Sequence, residues 1–304
     1  MKTMKNFPIL LLAGVLLFTA CNKEDDMPVV KEKNLVETAQ AAGQFSLLIQ
    51  AAQKAGLADF LSTESNLTVF APTDDAFGQL LKKLGLSSLE QVDNHILAAI
   101  LKYHVVGSEV YSTSLKSGVV PSLNTGSPDK TAVSLLVNVG STVMVNDAKV
   151  VKADIMASNG VIHVIDKVLL PPTVVDLATF SSDFSTLVAA VVKANLTGTL
   201  NGSGPFTVFA PTNSAFSALL SGLGLSGIDT VPMETLTGIL TYHVVGDNVR
   251  SAELSNGAVK MLSGKSVVFA LGNSVTINGK VKVVVTDIQG TNGVIHVIDQ
   301  VLVP

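Results

Sequence analysis

The stretch Asn159–Pro171 reads NGVIHVIDKVLLP, and Asn292–Pro304 reads NGVIHVIDQVLVP. Only two of the thirteen positions differ. Each copy is a Val/Ile-rich run that opens on Asn-Gly and closes on Pro. The pattern reads as a strand entered through a tight hairpin turn. Each run carries one His and, three residues later, one Asp: His163 with Asp166, and His296 with Asp299. Side chains alternate faces along a strand, so residues three apart point to opposite sides. Neither pair can then chelate a metal or act as an acid–base dyad. The expected roles are a histidine satisfied at the edge of a core and an aspartate accepting backbone N–H groups near a turn.

Other stretches recur too. TVFAPTDDAF (Thr68–Phe77) returns as TVFAPTNSAF (Thr207–Phe216), and LKYHVVG (Leu101–Gly107) as LTYHVVG (Leu240–Gly246). Both recur at an offset of 139 residues, against 133 for the closing stretch. One gap of net six residues therefore lies between the Tyr-His segment and the last strand. A period this long marks tandem domains, not a solenoid. The boundary falls in LLPPTVV, where Pro171 and Pro172 stiffen the joint. The domains are expected at residues 34–171 and 174–304.

Within each copy the hydrophobic period changes once. Phe45, Leu48, Ile49 and Ala52 sit at helical spacing, as do Phe184, Leu187, Val188 and Val191. A second stripe is Phe77, Leu80, Leu81 and Leu84, matched by Phe216, Leu219, Leu220 and Leu223. Thr73 and Thr212 are its expected N-caps. A third helix carries Leu97, Ile100, Leu101 and His104, matched by Leu236, Ile239, Leu240 and His243. Beyond it the period becomes two, in runs such as VVKADIMA and VKVVVTDI. Helices first and a mostly antiparallel sheet after them is an α+β arrangement.

The order TVFAPT-x-x-AF, then YH, then NGVIHVID-x-VL-x-P, found twice, resembles the fasciclin domain. The resemblance covers nearly all of the chain beyond residue 33. It implies two tandem fasciclin domains, each a β-sandwich-like wedge flanked by helices. It also implies a role in extracellular adhesion or ligand binding, without enzymatic activity. Tyr103-His104 and Tyr242-His243 match a motif that is associated with integrin binding in animal members of the family. The structural alternative is that each pair bonds and packs at the helix-to-strand junction.

Other candidate chemistry is thin. His104 meeting His163 across the domain, with Asp154 or Asp166 nearby, would suit zinc or iron. A histidine that extends an apolar helical face reads instead as a core residue. Asp74 and Asp75 look like a carboxylate pair, but their counterparts are Asn213 and Ser214. Helix-start duty explains all four, through capping and the helix dipole. His95 faces Glu234 in the other copy and reads as a solvated helix position. Asp229-Thr230-Val231 resembles a bacterial O-glycosylation tripeptide. There is no G-x-S-x-G, phosphate loop or HExxH. No catalytic, cofactor-binding or metal residues are expected, and no cofactor.

The chain begins with Lys2 and Lys5, an apolar run from Phe7 to Leu17, and LFTAC ending at Cys21. This is a secretory signal pattern. The run is shorter than the roughly 20 residues of a spanning helix. The stretch up to Cys21 resembles a bacterial lipobox, with Phe18 in place of the usual aliphatic. Residues 1–20 are read as a lipoprotein signal peptide, Cys21 as the lipidated (palmitate-bearing) anchor, and 21–33 as a flexible tether. Lys23-Glu24-Asp25 resembles the acidic signal that sends some Bacteroidetes lipoproteins to the outer surface. Cys21 is the only cysteine, so an intrachain disulfide is impossible. Past residue 20 the chain holds 18 basic and 24 acidic residues. No basic stripe serves nucleic acid. Three Tyr and no Trp make a poor sugar platform. The reading is an outer-membrane lipoprotein of the bacterial cell envelope, surface-exposed, acting in adhesion or protein/matrix interaction. Its partners are the membrane, through the anchor, and an unidentified protein or glycan. The alternative is a binder of glycans or small apolar ligands within an envelope uptake system.

Overall fold

In the computed structural model, residues 32–304 are described. The signal peptide, Cys21 and all but the last two residues of the tether lie outside them.

The first copy leads with α1 (Leu35–Ala42), α2 (Ser46–Lys54) and α3 (Ala58–Thr63). Strand β1 (Leu67–Pro72), α4 (Asp74–Leu84) and α5 (Asn94–Tyr103) follow. Then come β2 (Val105–Val106), β3 (Gly118–Pro121), β4 (Ser134–Val139), β5 (Val143–Val145), β6 (Ala148–Ala157) and β7 (Gly160–Ile165). The second copy repeats this order. Its helices are α6 (Val174–Phe180), α7 (Ser185–Lys193), α8 (Thr197–Leu200), α9 (Asn213–Gly222) and α10 (Met233–Thr241). Strand β8 (Phe206–Pro211) precedes α9. The sheet is completed by β9 (Val244–Val245), β10 (Gly257–Lys260), β11 (Ser266–Ala270), β12 (Thr276–Ile277), β13 (Val281–Gln289) and β14 (Gly293–Ile298).

The strand order is β2-β1-β7-β6-β5-β4-β3 in the first sheet and the same, read in reverse, in the second. Only the central pairs β1·β7 and β8·β14 are parallel. They join the TVFAPT strand to the closing strand, and every residue of β7 and β14 is buried. Alternation divides their side chains between two cores. Val69, Ala71, Ile162 and Val164 meet the helices. Phe70 and Ile165 face the other way, onto Leu135, Val137 and Val145 of the same curled sheet. This is the sandwich-like wedge with a helical flank.

The Asn-Gly pairs work differently from plain turn residues. Neither Gly160 nor Gly293 has a positive φ. A Cβ on Gly160 would run into the Leu67 carbonyl, and one on Gly293 into that of Phe206. Glycine is required by the close approach of the parallel strand. Ser158 and Asn159 close the first hairpin, and in the second Gly290 N donates to the Gly293 carbonyl at 2.8 Å around Thr291 and Asn292. The asparagines clamp the leading helices. Asn159 Oδ1 accepts from Leu35 N at 2.8 Å, and its Nδ2 donates to the carbonyls of Leu61 (3.0 Å) and Glu64 (2.6 Å). Asn292 does the same for Val174, Leu200 and Gly202.

Asp74 also differs from expectation. Thr73 caps its own helix, accepting from Ala76 N. The Asp74 carboxylate instead accepts from Leu47 N at 2.7 Å, capping α2, whose own N-cap position (Phe45) makes no side-chain bond. Asn213 serves Thr186 N in α7 in the same way. The net gap of six resolves into two changes. The β3–β4 connection has twelve residues (122–133) against five (261–265), and the β5–β6 turn has two against three.

The two domains touch directly. Gln289 N donates to Ser134 Oγ at 2.9 Å, and Leu136 of β4 packs against the core of the second domain.

Candidate functional site

Tyr103 ends α5 and is fully buried. Its hydroxyl donates to the Ser134 carbonyl (2.7 Å) and accepts from Asn146 Nδ2 (2.8 Å). Burial pushes its phenol above the ordinary value. Tyr242 repeats the arrangement with Ser266 O (3.0 Å) and Asn278 Nδ2 (3.3 Å). These bonds run from the end of the helix to the sheet, which is what a buried phenol needs.

His104 follows at the helix C-cap. The Leu169 N–H can only donate, so Nε2 is the acceptor, at 2.9 Å. Nδ1 therefore carries the proton and donates to Ile100 O at 2.8 Å. His243 makes the same pair of bonds with Leu302 N and Ile239 O. Burial pushes both imidazoles down to about 4, against a smaller upward pull from the carbonyl bond. All four Tyr and His side chains are buried. A partner would meet the motif only through the surface it supports.

The histidine of the closing strand takes the opposite tautomer. His163 Nδ1 accepts from Asp154 N at 3.3 Å, so Nε2 donates to Val110 O at 2.8 Å. Its ring lies 5.6 Å from that of Phe70. His296 matches it through Asp287 N, Val249 O and the ring of Phe209. Burial lowers the His296 value. Asp154 and Asp287 sit at left-handed φ of 57° and 62°, at a break in the β6·β7 and β13·β14 registers. Each marks a bulge that bends its strand. Asp154 accepts from the backbone N and hydroxyl of Ser112, and Asp287 likewise from Ser251. Burial alone would raise the Asp154 carboxyl, but the Ser112 bonds outweigh it and hold the value below the usual one.

A serine, an aspartate and a histidine thus meet twice. They are not wired as a nucleophilic triad. That chemistry needs the serine on the histidine and the carboxylate behind it. Here the serine donates to the aspartate, and the histidine spends both nitrogens on backbone. The cluster braces a bulge against the loop after β2. Asp166 and Asp299, on the opposite face, accept from the backbone N of Lys149 and Lys282. The proposed meeting of His104 and His163 around a metal does not form, because each ring is committed to different backbone groups. Among the described residues no three His, Cys, Asp or Glu converge as metal ligands. His95 and Glu234 are both exposed.

The bracing roles of Ser112, Asn146, Asn159 and Lys54 were not foreseen, whereas Asp154 was expected near His163 and lies 4.0 Å from it, Oδ1 to Nδ1, as a brace for Ser112. The Lys54 ammonium donates to the carbonyls of Leu89 and Glu90, as that of Lys193 does to Ile228, Asp229 and Val231. A signal for Asn146 was present. It matches Asn278 at an offset of 132, which a single six-residue gap cannot align.

The Fasciclin domain family model matches residues 43–171 and 182–304. The chain is 31% identical to pig transforming growth factor-beta-induced protein ig-h3, over 91% of this chain and 40% of that protein. It is 33% identical to human periostin, over 82% of this chain and 29% of periostin. It thus spans well under half the length of either animal relative. Protein sll1483 of Synechocystis is 44% identical over 43% of this chain and 73% of its own length. A solved FAS1 domain pair from the insect cell adhesion molecule fasciclin I superposes with a TM-score of 0.52 at 20% identity, covering 87% of this chain and 98% of that one. At that identity the likeness establishes the fold. With its motifs, strand order and internal bracing present twice, the chain belongs to the fasciclin family and consists of two fasciclin domains in tandem.

Proposed function

We propose that the protein is an adhesion or protein/matrix interaction module of the bacterial cell envelope, anchored through a lipid on Cys21 and facing outward. One observation carries the non-enzymatic part of this reading. The histidines and tyrosines of the repeated motifs are buried and hydrogen-bonded within the protein itself, in both copies. Function is then left to the surface. A fasciclin I domain pair, from a protein named as an insect cell adhesion molecule, supports the adhesion reading. A deep ligand site receives less support from the helical layer. The apolar crevices beneath α1 and α6 have volumes of about 30 and 40 Å³. Neither approaches the few hundred Å³ of a typical ligand pocket, a size reached instead by open clefts of about 440 and 420 Å³ between the two domains.

The anchor and the adhesion role are tested together. Cys21→Ser is expected to move the protein from the membrane to the soluble fraction, because lipid chains contribute about 0.8 kcal/mol per buried methylene. Cells displaying the wild type are expected to bind matrix or neighbouring cells more than deletion cells do. Equal adhesion by deletion and wild-type cells would refute the role. Unchanged fractionation of the C21S variant would refute the anchor.

A further inference from the structure

The contact between the two domains joins two different faces. The first domain contributes the outer face of β4. Ser134 there is 3% exposed, and Leu136 reaches the second domain's core. The second domain contributes the end of β13, where Gln289 is 1% exposed and its N–H meets Ser134 Oγ. The duplication gives each domain both faces. The β11 face of the second domain carries Ser266 and Val268 where the first has Ser134 and Leu136, and Val268 is 53% exposed. The β6 end of the first domain carries Met156 where the second has Gln289. Met156 pairs with Val161 in the register that Gln289 holds with Val294, and it is 70% exposed. So each chain presents one open copy of each half of a contact that it already makes once internally.

We propose that these open faces are an interaction surface for a second copy of this chain. The β11 face of one molecule meets the β6 end of the next, repeating the internal contact. The two faces differ, so the association is head-to-tail, and unless the rotation closes a ring it is open-ended. Each complementary face carries an apolar side chain that is more than half exposed. The contact between molecules is weaker than the internal one. Where the second domain offers Phe180 and Val285 to the groove between the domains, the first has Ala41 and Lys152 at the corresponding positions. The inference rests on the interaction-module reading and gives it a partner: the protein itself, on the same or a facing surface.

The test is sedimentation of the purified full chain in neutral detergent over a hundredfold concentration range. The wild type is expected to grow from monomer through dimer to larger species. Val268→Asp and Met156→Asp each spoil one face only. Each alone is expected to remain monomeric over that range, with its thermal midpoint unchanged, because both side chains are exposed. An equimolar mixture of the two variants retains one good pair of faces and is expected to form dimers and nothing larger. A wild type that stays monomeric throughout would overturn the proposal. So would assembly that survives either substitution, or variants that do not recover a dimer on mixing. Deletion cells displaying the V268D or M156D protein that adhere as well as wild-type cells would separate the two readings, leaving the adhesion module standing without the assembly.

Discussion

At the residue scale, the motifs that looked chemical hold the fold together. Strand alternation separates His163, bonded to Val110 O, from Asp166, bonded to Lys149 N. It could not supply their partners, which come from residues far away in the chain. The buried histidines make the fold sensitive to acid, and the direction follows from their lowered values. His104 and His243 fall to about 4 from an ordinary 6.5, so between those limits the unfolded chain binds more protons than the folded one. Stability is complete above about pH 6.5 and declines as pH falls toward about 4, by on the order of 3 kcal/mol per histidine. Urea denaturation at pH 7 and pH 4.5 measures this. An unchanged midpoint would show that the imidazoles are not held neutral. Gly160→Ala is a second test at this scale. Its methyl meets backbone rather than a movable side chain, so a loss of more than about 3 kcal/mol is expected. The same melts would read it.

At the element scale, legibility followed periodicity. The stripes of α2, α4 and α5 were plain because each buries one face of a helix. The first helix was not read. Leu35–Ala42 is short, and its position depends on a capping box of Asn34 with Glu37 and on the clamp from Asn159. The bulge at Asp154 was equally hidden, since a residue at left-handed φ inside a strand looks like any other in an alternating run. The duplication was the best guide to the caps. Because Asn213 does in the second copy what Asp74 does in the first, Asp74→Asn is expected to change stability by less than about 0.5 kcal/mol. Asp74→Ala leaves Leu47 N without its acceptor and should cost about 1 kcal/mol, within the usual range for losing a cap. Thermal melts of the two variants distinguish this cross-helix cap from a simple charge effect. Equal losses would favour the latter.

At the scale of the whole molecule, the duplication was legible but its asymmetry was not. The equivalent positions Leu136 and Val268 are both aliphatic and differ in what lies against them. Leu136 is covered by the second domain, whereas Val268, at the same place in the other sheet, stands in solvent. No pattern in one strand reveals that, because burial here comes from the neighbouring domain. The difference makes a sharp prediction about coupling. Leu136→Asp places a charge against the apolar core that includes Ile288 and Val297. A charge left unpaired there costs several kcal/mol, so the faces separate instead. Calorimetry of the wild type should show the two domains melting together to the extent that this contact couples them. In L136D the second domain, having lost its cover, is expected to melt several degrees earlier, as a separate transition. Val268→Asp, the same change at the matching position, should leave the profile within about 1 °C, as expected for a surface site. If the two substitutions shift the transition equally, the contact does not couple the domains, and the two copies behave as independent units joined by the Pro171-Pro172 linker.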